Sequence, residues 1–390
     1  MGVGEELLNE LRERPQIAFL TSADPRDRRA QSGLFFNMSA ALQKHCGDVA
    51  ILGPIDVLYR RYGRSLNAFS RLVTGKRYDY GHSIALAKRY AKVFDRTLQG
   101  IKVDLIFAPE ASTQIAFAET ALPIIYESDA TFARMLGYYP SFTNLSASSM
   151  RQGNIIERKA IENASIALYH SRWAAQSAID DYCADEARVH VIPVGANLDE
   201  PPSQKDVLDR EKPDTYRLLF VGINWSRKGG EIAFDTMREL ADMGLEVELA
   251  VCGCVPPKKF RDGRLKVIPF LDKNDAKQRR LLYNLYASSS FLLLPTRAET
   301  YGNVFCEASA FGLPSIATKT GGVPEVVRDG ENGYTLPLSA GGGEYARLIR
   351  DIYTDEPRYY ALKESSRQAY EERLNWDSWA LGVKELIANM

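Results

Sequence analysis

The chain runs to 390 residues, 45% of them hydrophobic and 25% charged, with a formal net charge of −1. That balance excludes a general nucleic-acid binder, which would carry a strong basic excess, and no apolar run reaches the roughly 18 residues needed to span a bilayer. The length exceeds one ordinary core and predicts two domains of about 150 to 200 residues each.

In chain order, the opening MGVGEELLNELRERPQ is acidic and amphipathic, unlike a secretory signal. Short runs rich in Val, Ile and Leu follow at 17–22, 49–53, 103–109, 123–129, 166–171 and 189–195, and read as parallel strands buried on both faces. Helical spacing marks 34–45 and 172–182. A polar, proline-bearing stretch at 199–216 reads as a linker. The alternation then restarts, with strands at 217–222, 247–253, 265–270, 290–295 and 314–318 and helices at 232–244, 275–289 and 304–312. Such alternation builds parallel sheets through right-handed crossovers. The expected organisation is α/β, two doubly wound domains facing a central cleft. The first spans 1–198, a linker 199–214 and the second 215–371, and a last helix at 372–390 packs back on the first.

The five cysteines (Cys46, Cys183, Cys252, Cys254, Cys306) are odd in number and scattered, which suits a reducing cytosol. Cys252 and Cys254 are expected on one face of a buried strand; with no second Cys or His pair nearby, they do not read as metal ligands.

Ligands of doubly wound sheets bind beyond the carboxyl ends of the strands. In PTRAETYGNVFCEASAFGLP (295–314) a strand ends at Pro295 and a helix starts near Gly302–Asn303. The free N–H groups and dipole of such a start attract phosphate oxygens, and Gly302 permits close backbone approach. Glu299 in the loop can accept hydroxyls of a hexose, and Glu307 on the first turns those of a ribose. Taken alone, the two read as well as surface glutamates near a helix start. Upstream, FVGINWSRKGG (220–230) sets Arg227 and Lys228 in a Gly-rich loop after a strand, a pairing that suits a diphosphate or, failing that, a solvated turn. Downstream, TKTGGVPEVVRDGENGYTL (318–336) carries a Gly-Gly pair and Glu325, fitting a loop pressed on a ligand or a tight turn.

Together, Arg227–Lys228–Gly229, the Glu299…Glu307 pair, EASAFGLPSIAT and GGVPEVVRDGENGY resemble the donor half of glycosyltransferase family 4, the retaining group 1 enzymes with two Rossmann-like domains in the GT-B fold. The likeness covers most of 215–336; the first half matches only in general pattern, through VIPVGAN (191–197) and Ser32–Gly33. The resemblance implies that Lys228 stabilises the leaving diphosphate, that Glu299 contacts the donor sugar, and that Glu307 contacts the ribose. It also implies that Gly222, Tyr301, Gly302, Asn303 and Val304 line the sugar and phosphate pocket. Gly33 would approach the diphosphate from across the cleft, or is a plain helix-entry glycine. Where the family often has an Arg after the strand-ending glycine, this chain has Ile223, and Arg227 is the candidate to supply the guanidinium from another point. The family's His in the loop after 123–129 is absent here. Asp129 is the replacement candidate, to hold a hydroxyl or to cap the next helix. Of the histidines only His170, beside Ser171 at a strand end, is kept.

The implied reaction moves a sugar from UDP or GDP to a carbohydrate, lipid-linked or small-molecule acceptor, with retention. It uses no metal or cofactor, because Arg227 and Lys228 neutralise the leaving diphosphate, and domain closure excludes water. Rivals on this fold are a nucleotide-sugar epimerase or hydrolase, for which no acid–base group aimed at the sugar is legible, and a non-catalytic nucleotide-sugar binder. Residues 56–96 carry ten Arg or Lys against three Asp, interleaved with Tyr59, Tyr62, Tyr78 and Tyr90. They read as a face for an anionic membrane or phosphorylated acceptor, or as a solvated helix pair. The expected location is cytoplasmic or membrane-peripheral.

Overall fold

The structure, a computed structural model, describes residues 14–55 and 59–390. Most of the acidic N-terminal stretch and residues 56–58 of the basic stretch therefore lie outside the described residues. Two six-stranded parallel sheets organise the chain. The first joins β1 (Gln16–Leu20), β2 (Asp48–Leu52), β3 (Leu105–Pro109), β4 (Ile124–Ser128), β5 (Ile166–Tyr169) and β6 (Val189–Val191) in the order β2-β1-β3-β4-β5-β6. The second joins β7 (Tyr216–Val221), β8 (Val247–Cys252), β9 (Leu265–Ile268), β10 (Phe291–Leu294), β11 (Ser315–Thr318) and β12 (Gly333–Leu336) in the order β12-β11-β10-β7-β8-β9. The order reverses between β1 and β3 in one sheet and between β7 and β10 in the other. Crevices open at such reversals, outside the carboxyl ends of the strands. The loops after β1, β3, β7 and β10 are thus the ones placed to hold a ligand.

The helices of eight or more residues are α1 (Leu34–His45), α2 (Tyr59–Thr74), α3 (Ile84–Leu98), α4 (Ala147–Asn163), α5 (Arg172–Tyr182), α6 (Gly230–Asp242), α7 (Ala276–Ser288), α8 (Asn303–Ala310), α9 (Gly342–Thr354), α10 (Glu356–Glu372) and α11 (Trp376–Ala388). Side-chain oxygens of Ser83, Ser146, Ser171, Asp275 and Asn375 accept first-turn N–H groups and set the starts of α3, α4, α5, α7 and α11. Among the described residues no helix is long and apolar enough to cross a membrane.

Three details differ from the sequence reading. Helices α4, α9 and α10 and the short strand β12 carry no sequence expectation. Strand β8 ends at Cys252 and Gly253 turns at φ 101°, so Cys254 falls past the strand and does not share its face. The linker is only partly free: it holds a short helix, Gln204–Leu208, whose Val207 is fully buried. A Cβ on Gly312 would sit 2.5 Å from that Val207 side chain, so a glycine admits it.

The chain crosses between domains twice, at one place. Ala196 N donates to Leu374 O (3.0 Å), and a Cβ on Gly195 would fall 2.4 Å from the Trp376 nitrogen. Helix α11 then lies on α1 of the first domain. Its Trp379 is fully buried edge-on to Phe107, with ring centroids 5.8 Å apart, and Asp377 pairs with Lys44 at 2.7 Å.

Candidate donor site and its cross-cleft partners

On the second-domain side, the loop after β7 is clamped by its own packing. Trp225 is buried against Phe220 and Phe260, and a Cβ on Gly229 would meet Pro295 O at 1.9 Å. Gly222 lets the Lys228 stem cross it, since a Cβ there would lie 2.8 Å from Lys228 Cγ. Lys228 is 8% exposed, which rules out a solvated turn, and its ammonium donates to Glu299 Oε2. Arg227 Nη1 lies 3.5 Å from the same oxygen and donates to Ala298 O at 2.7 Å. Two cations thus converge on one carboxylate at the ends of β7 and β10.

The α8 start supplies the other half. Gly302 takes φ 97°, a left-handed turn that glycine adopts cheaply, and with Tyr301, Asn303 and Val304 it lines the cleft. The Tyr301 ring points away, its hydroxyl donating to Val194 O at 3.0 Å. Glu307 is buried and not a surface residue: Oε1 meets Lys273 Nζ at 2.6 Å, and Oε2 accepts from Tyr286 at 2.8 Å. Lys273 also reaches Ser32 O of the first domain at 3.3 Å. Ile223 is 73% exposed on the cleft wall, leaving Arg227 as the guanidinium nearest Lys228 in the chain.

On the first-domain side, Gln31, Ser32 and Gly33 all have positive φ (46°, 57° and 94°). Such backbone costs on the order of 1–3 kcal/mol at a non-glycine residue. Asn37 and Asn197 hold it, donating to Gly33 O (2.8 Å) and Ser32 O (3.2 Å). Gly33 is buried at the start of α1, and its neighbours Gln31, Ser32 and Leu34 face the cleft.

Asp129, after β4, accepts from Thr300 Oγ1 of the second domain at 2.6 Å. It does not cap the next helix: Thr131 accepts from Arg134 N there (3.3 Å). Burial raises the Asp129 carboxyl to about 6. Beside it lies Glu110, after β3, held at φ 51° and accepting from Asp129 N at 2.9 Å. Burial lifts both Glu110 and Glu127 well above the usual carboxylate range. Burial also drops His170 to about 3, and its Nε2 hydrogen-bonds to Glu127 Oε1. Among the described residues its Nδ1 has no hydrogen-bond partner. Glu110, Asp129 and His170 all line the cleft, so Glu110, absent from the sequence reading, gathers there with the two candidates that reading had kept.

Tyr138 and Tyr139 complete the seam. Tyr138 OH accepts from Glu299 N (2.9 Å), and Arg227 stacks over the Tyr139 ring at 4.9 Å. The Gly321–Gly322 pair serves packing: added Cβ atoms would lie 2.0 Å from Glu299 O and 1.9 Å from Thr300 O. Glu325, just beyond, accepts from Arg172 N at 3.2 Å. Sequence reasoning missed Glu110, Lys273, Tyr138 and Tyr139, none of which lies in a spaced motif, and Thr300, which lies in one but whose partner Asp129 is 171 residues away. The cleft offers a volume of about 440 Å³, within the range of small-ligand sites. Among the described residues no group of three or more His, Cys, Asp or Glu is arranged to hold a metal ion.

Residues 215–355 match the family model for glycosyl transferases group 1. The chain is 28% identical over 259 residues to a D-inositol 3-phosphate glycosyltransferase of Xylanimonas cellulosilytica and 23% identical over 253 residues to that of Corynebacterium jeikeium. These alignments cover 61% and 60% of this chain, and the chain spans about 60% of the length of the curated relatives it matches. Among solved structures it is similar to Anabaena HepE in complex with UDP and glucose (TM-score 0.64, 16% identity, 96% of this chain and 100% of that one). It is also similar to the sucrose-phosphate synthase of Thermosynechococcus elongatus (TM-score 0.68, 17% identity, 96% and 99%). The two parallel sheets thus take the GT-B arrangement of those solved structures, and the second domain, over residues 215–355, is similar to the group 1 glycosyltransferases.

Proposed function

We propose that the protein transfers a sugar, with retention and without a metal, from a uridine or guanosine diphosphate to an acceptor hydroxyl on a carbohydrate, lipid-linked or small molecule. The observation that carries this is the convergence of Lys228 and Arg227 on Glu299, in a cleft that also presents Glu307 beside the α8 start. In the proposed step the bond from the anomeric carbon to the diphosphate oxygen breaks and its electron pair stays on the phosphate. Lys228 and Arg227 neutralise that charge in place of a metal. The acceptor oxygen bonds the same face of the carbon, and its proton passes to the departing phosphate oxygen. Glu299 holds sugar hydroxyls and Glu307 the ribose. No cofactor takes part. The HepE structures hold UDP and UDP-glucose, which supports uridine as the first base to test.

On the first-domain wall, Glu110 and Asp129 present carboxyl oxygens to the cleft, suited to hydroxyls of the donor sugar or the acceptor. The same cluster is what a nucleotide-sugar hydrolase or epimerase would use, so product analysis matters as much as binding. A thermal-shift screen against UDP, GDP, ADP and their sugar conjugates, with and without EDTA, tests the reading. One nucleotide should stabilise the protein equally in both conditions. Failure of every nucleotide would sink the donor-site assignment, and loss of the shift in EDTA would sink the metal-free step.

A further inference from the structure

Helix α2 presents to solvent a face that the fold leaves uncovered. Among the described residues the helix meets the rest of the domain through Gly63, where a Cβ would meet the Tyr80 side chain at 2.4 Å, and Asn67, which accepts from Tyr78 N at 3.0 Å. Turned away from these, Tyr62, Leu66, Phe69 and Val73 recur at steps of four, three and four, the spacing of one helical stripe. They are 68%, 43%, 65% and 63% exposed, and the adjacent Leu72 is 85% exposed. Scattered exposed apolar residues are ordinary, but a contiguous stripe marks a contact surface.

Charge selects the occupant. From residue 57 to 78 the sequence has no Asp or Glu and six Arg or Lys, in a protein whose overall net charge is −1. Arg64 and Arg71 are exposed and lie, by helical spacing, opposite the apolar stripe. An apolar stripe backed by basic residues fits the boundary between acyl chains and anionic headgroups. The helix is also tied to the cleft: just past its C-terminal end, Arg77 Nη1 donates to Pro140 O at 2.8 Å, next to the cleft-lining Tyr139.

We infer that α2 is an interfacial helix that seats the protein on an anionic lipid surface, with Tyr62, Leu66, Phe69, Leu72 and Val73 entering the acyl boundary. This assignment stands whatever the chemistry in the cleft. The test is co-sedimentation of the full chain with vesicles of phosphatidylcholine, with and without phosphatidylglycerol. The expected result is binding to the anionic vesicles that weakens with salt, and a loss of at least about tenfold in partitioning for Leu66→Gln/Phe69→Gln and for Arg64→Glu/Arg71→Glu. Both variants change exposed side chains and should keep the wild-type melting temperature and nucleotide-induced shift. Lys228→Ala should bind vesicles as wild type does. Failure of wild type to bind anionic vesicles, or equal binding by the stripe variant, overturns the inference. So does a dimer in sedimentation that the stripe variant dissociates without any lipid binding, which would assign the stripe to a second copy of the chain.

Discussion

Thr300 donates its hydroxyl proton to Asp129 Oδ2 over 2.6 Å, and the two residues belong to different domains. The bond closes the cleft at the ends of β4 and β10, where Tyr138 also grips the Glu299 backbone. Burial raises Asp129 from 3.8 to about 6. A carboxyl raised on folding favours the folded state while protonated, so its share of stability falls as pH rises from about 4 to about 6 and is level above. Asp129→Asn keeps an acceptor for Thr300 and should remove that slope from the melting temperature measured across pH 4 to 7. An unchanged slope would mean that Asp129 is not the titrating group.

Lys228 should matter for turnover more than for binding. Lys228→Ala leaves Glu299 paired with Arg227, so the fold should survive. Loss of one charge on the leaving diphosphate is expected to cost on the order of 10²–10³ in kcat. Steady-state kinetics with a saturating donor would measure it. A variant that loses only donor affinity would place Lys228 outside the reacting atoms.

Glu307 should behave in the opposite way. A residue that holds the ribose, the role proposed for Glu307, makes the same contact in ground and transition states, so Glu307→Ala should raise KM for the donor with little change in kcat. The same substitution frees Lys273 from its 2.6 Å partner. Lys273→Met should loosen the bridge to Ser32 O and expand the molecule in small-angle scattering. Identical scattering would deny Lys273 a part in closure.

Glu157 offers a stability test away from the cleft. It is buried on α4, accepts from Tyr126 OH at 3.0 Å, and burial lifts it from 4.5 to about 7. The sign matches that of Asp129: the contribution of Glu157 to stability should fall as pH rises from about 4.5 to about 7. Glu157→Gln keeps the hydrogen bond and should raise the melting temperature at pH 8 while leaving it nearly unchanged at pH 4. A lower value at pH 8 would refute the cost assigned to the buried carboxylate.

Val, Ile and Leu runs made eleven of the twelve strands legible, including the edge strands β2, β6 and β9, which the structure leaves only partly buried where burial on both faces was expected. β12, which begins at Gly333 and has only four residues, offers no such run. The donor-side residues were legible because Lys228, Glu299 and Glu307 follow strands within spaced motifs. Glu110 was not, since its significance rests on a left-handed backbone and on neighbours 17 and 19 residues away that only the fold assembles. Tyr138 and Tyr139 lie in an aperiodic loop, and their partners are more than 160 residues distant. Lys273 joins Glu307 from 34 residues upstream.

The paired crossings at Ala196 and Leu374 bear on how the molecule would respond to a cut. Residues 199–201 and 203–205 are exposed between them. A protease severing that stretch would yield two fragments that stay clasped, because α11 belongs in sequence to the second piece and in space to the first, with Trp379 sealed in its core. The halves would behave as a complementing pair, separable only by unfolding one of them.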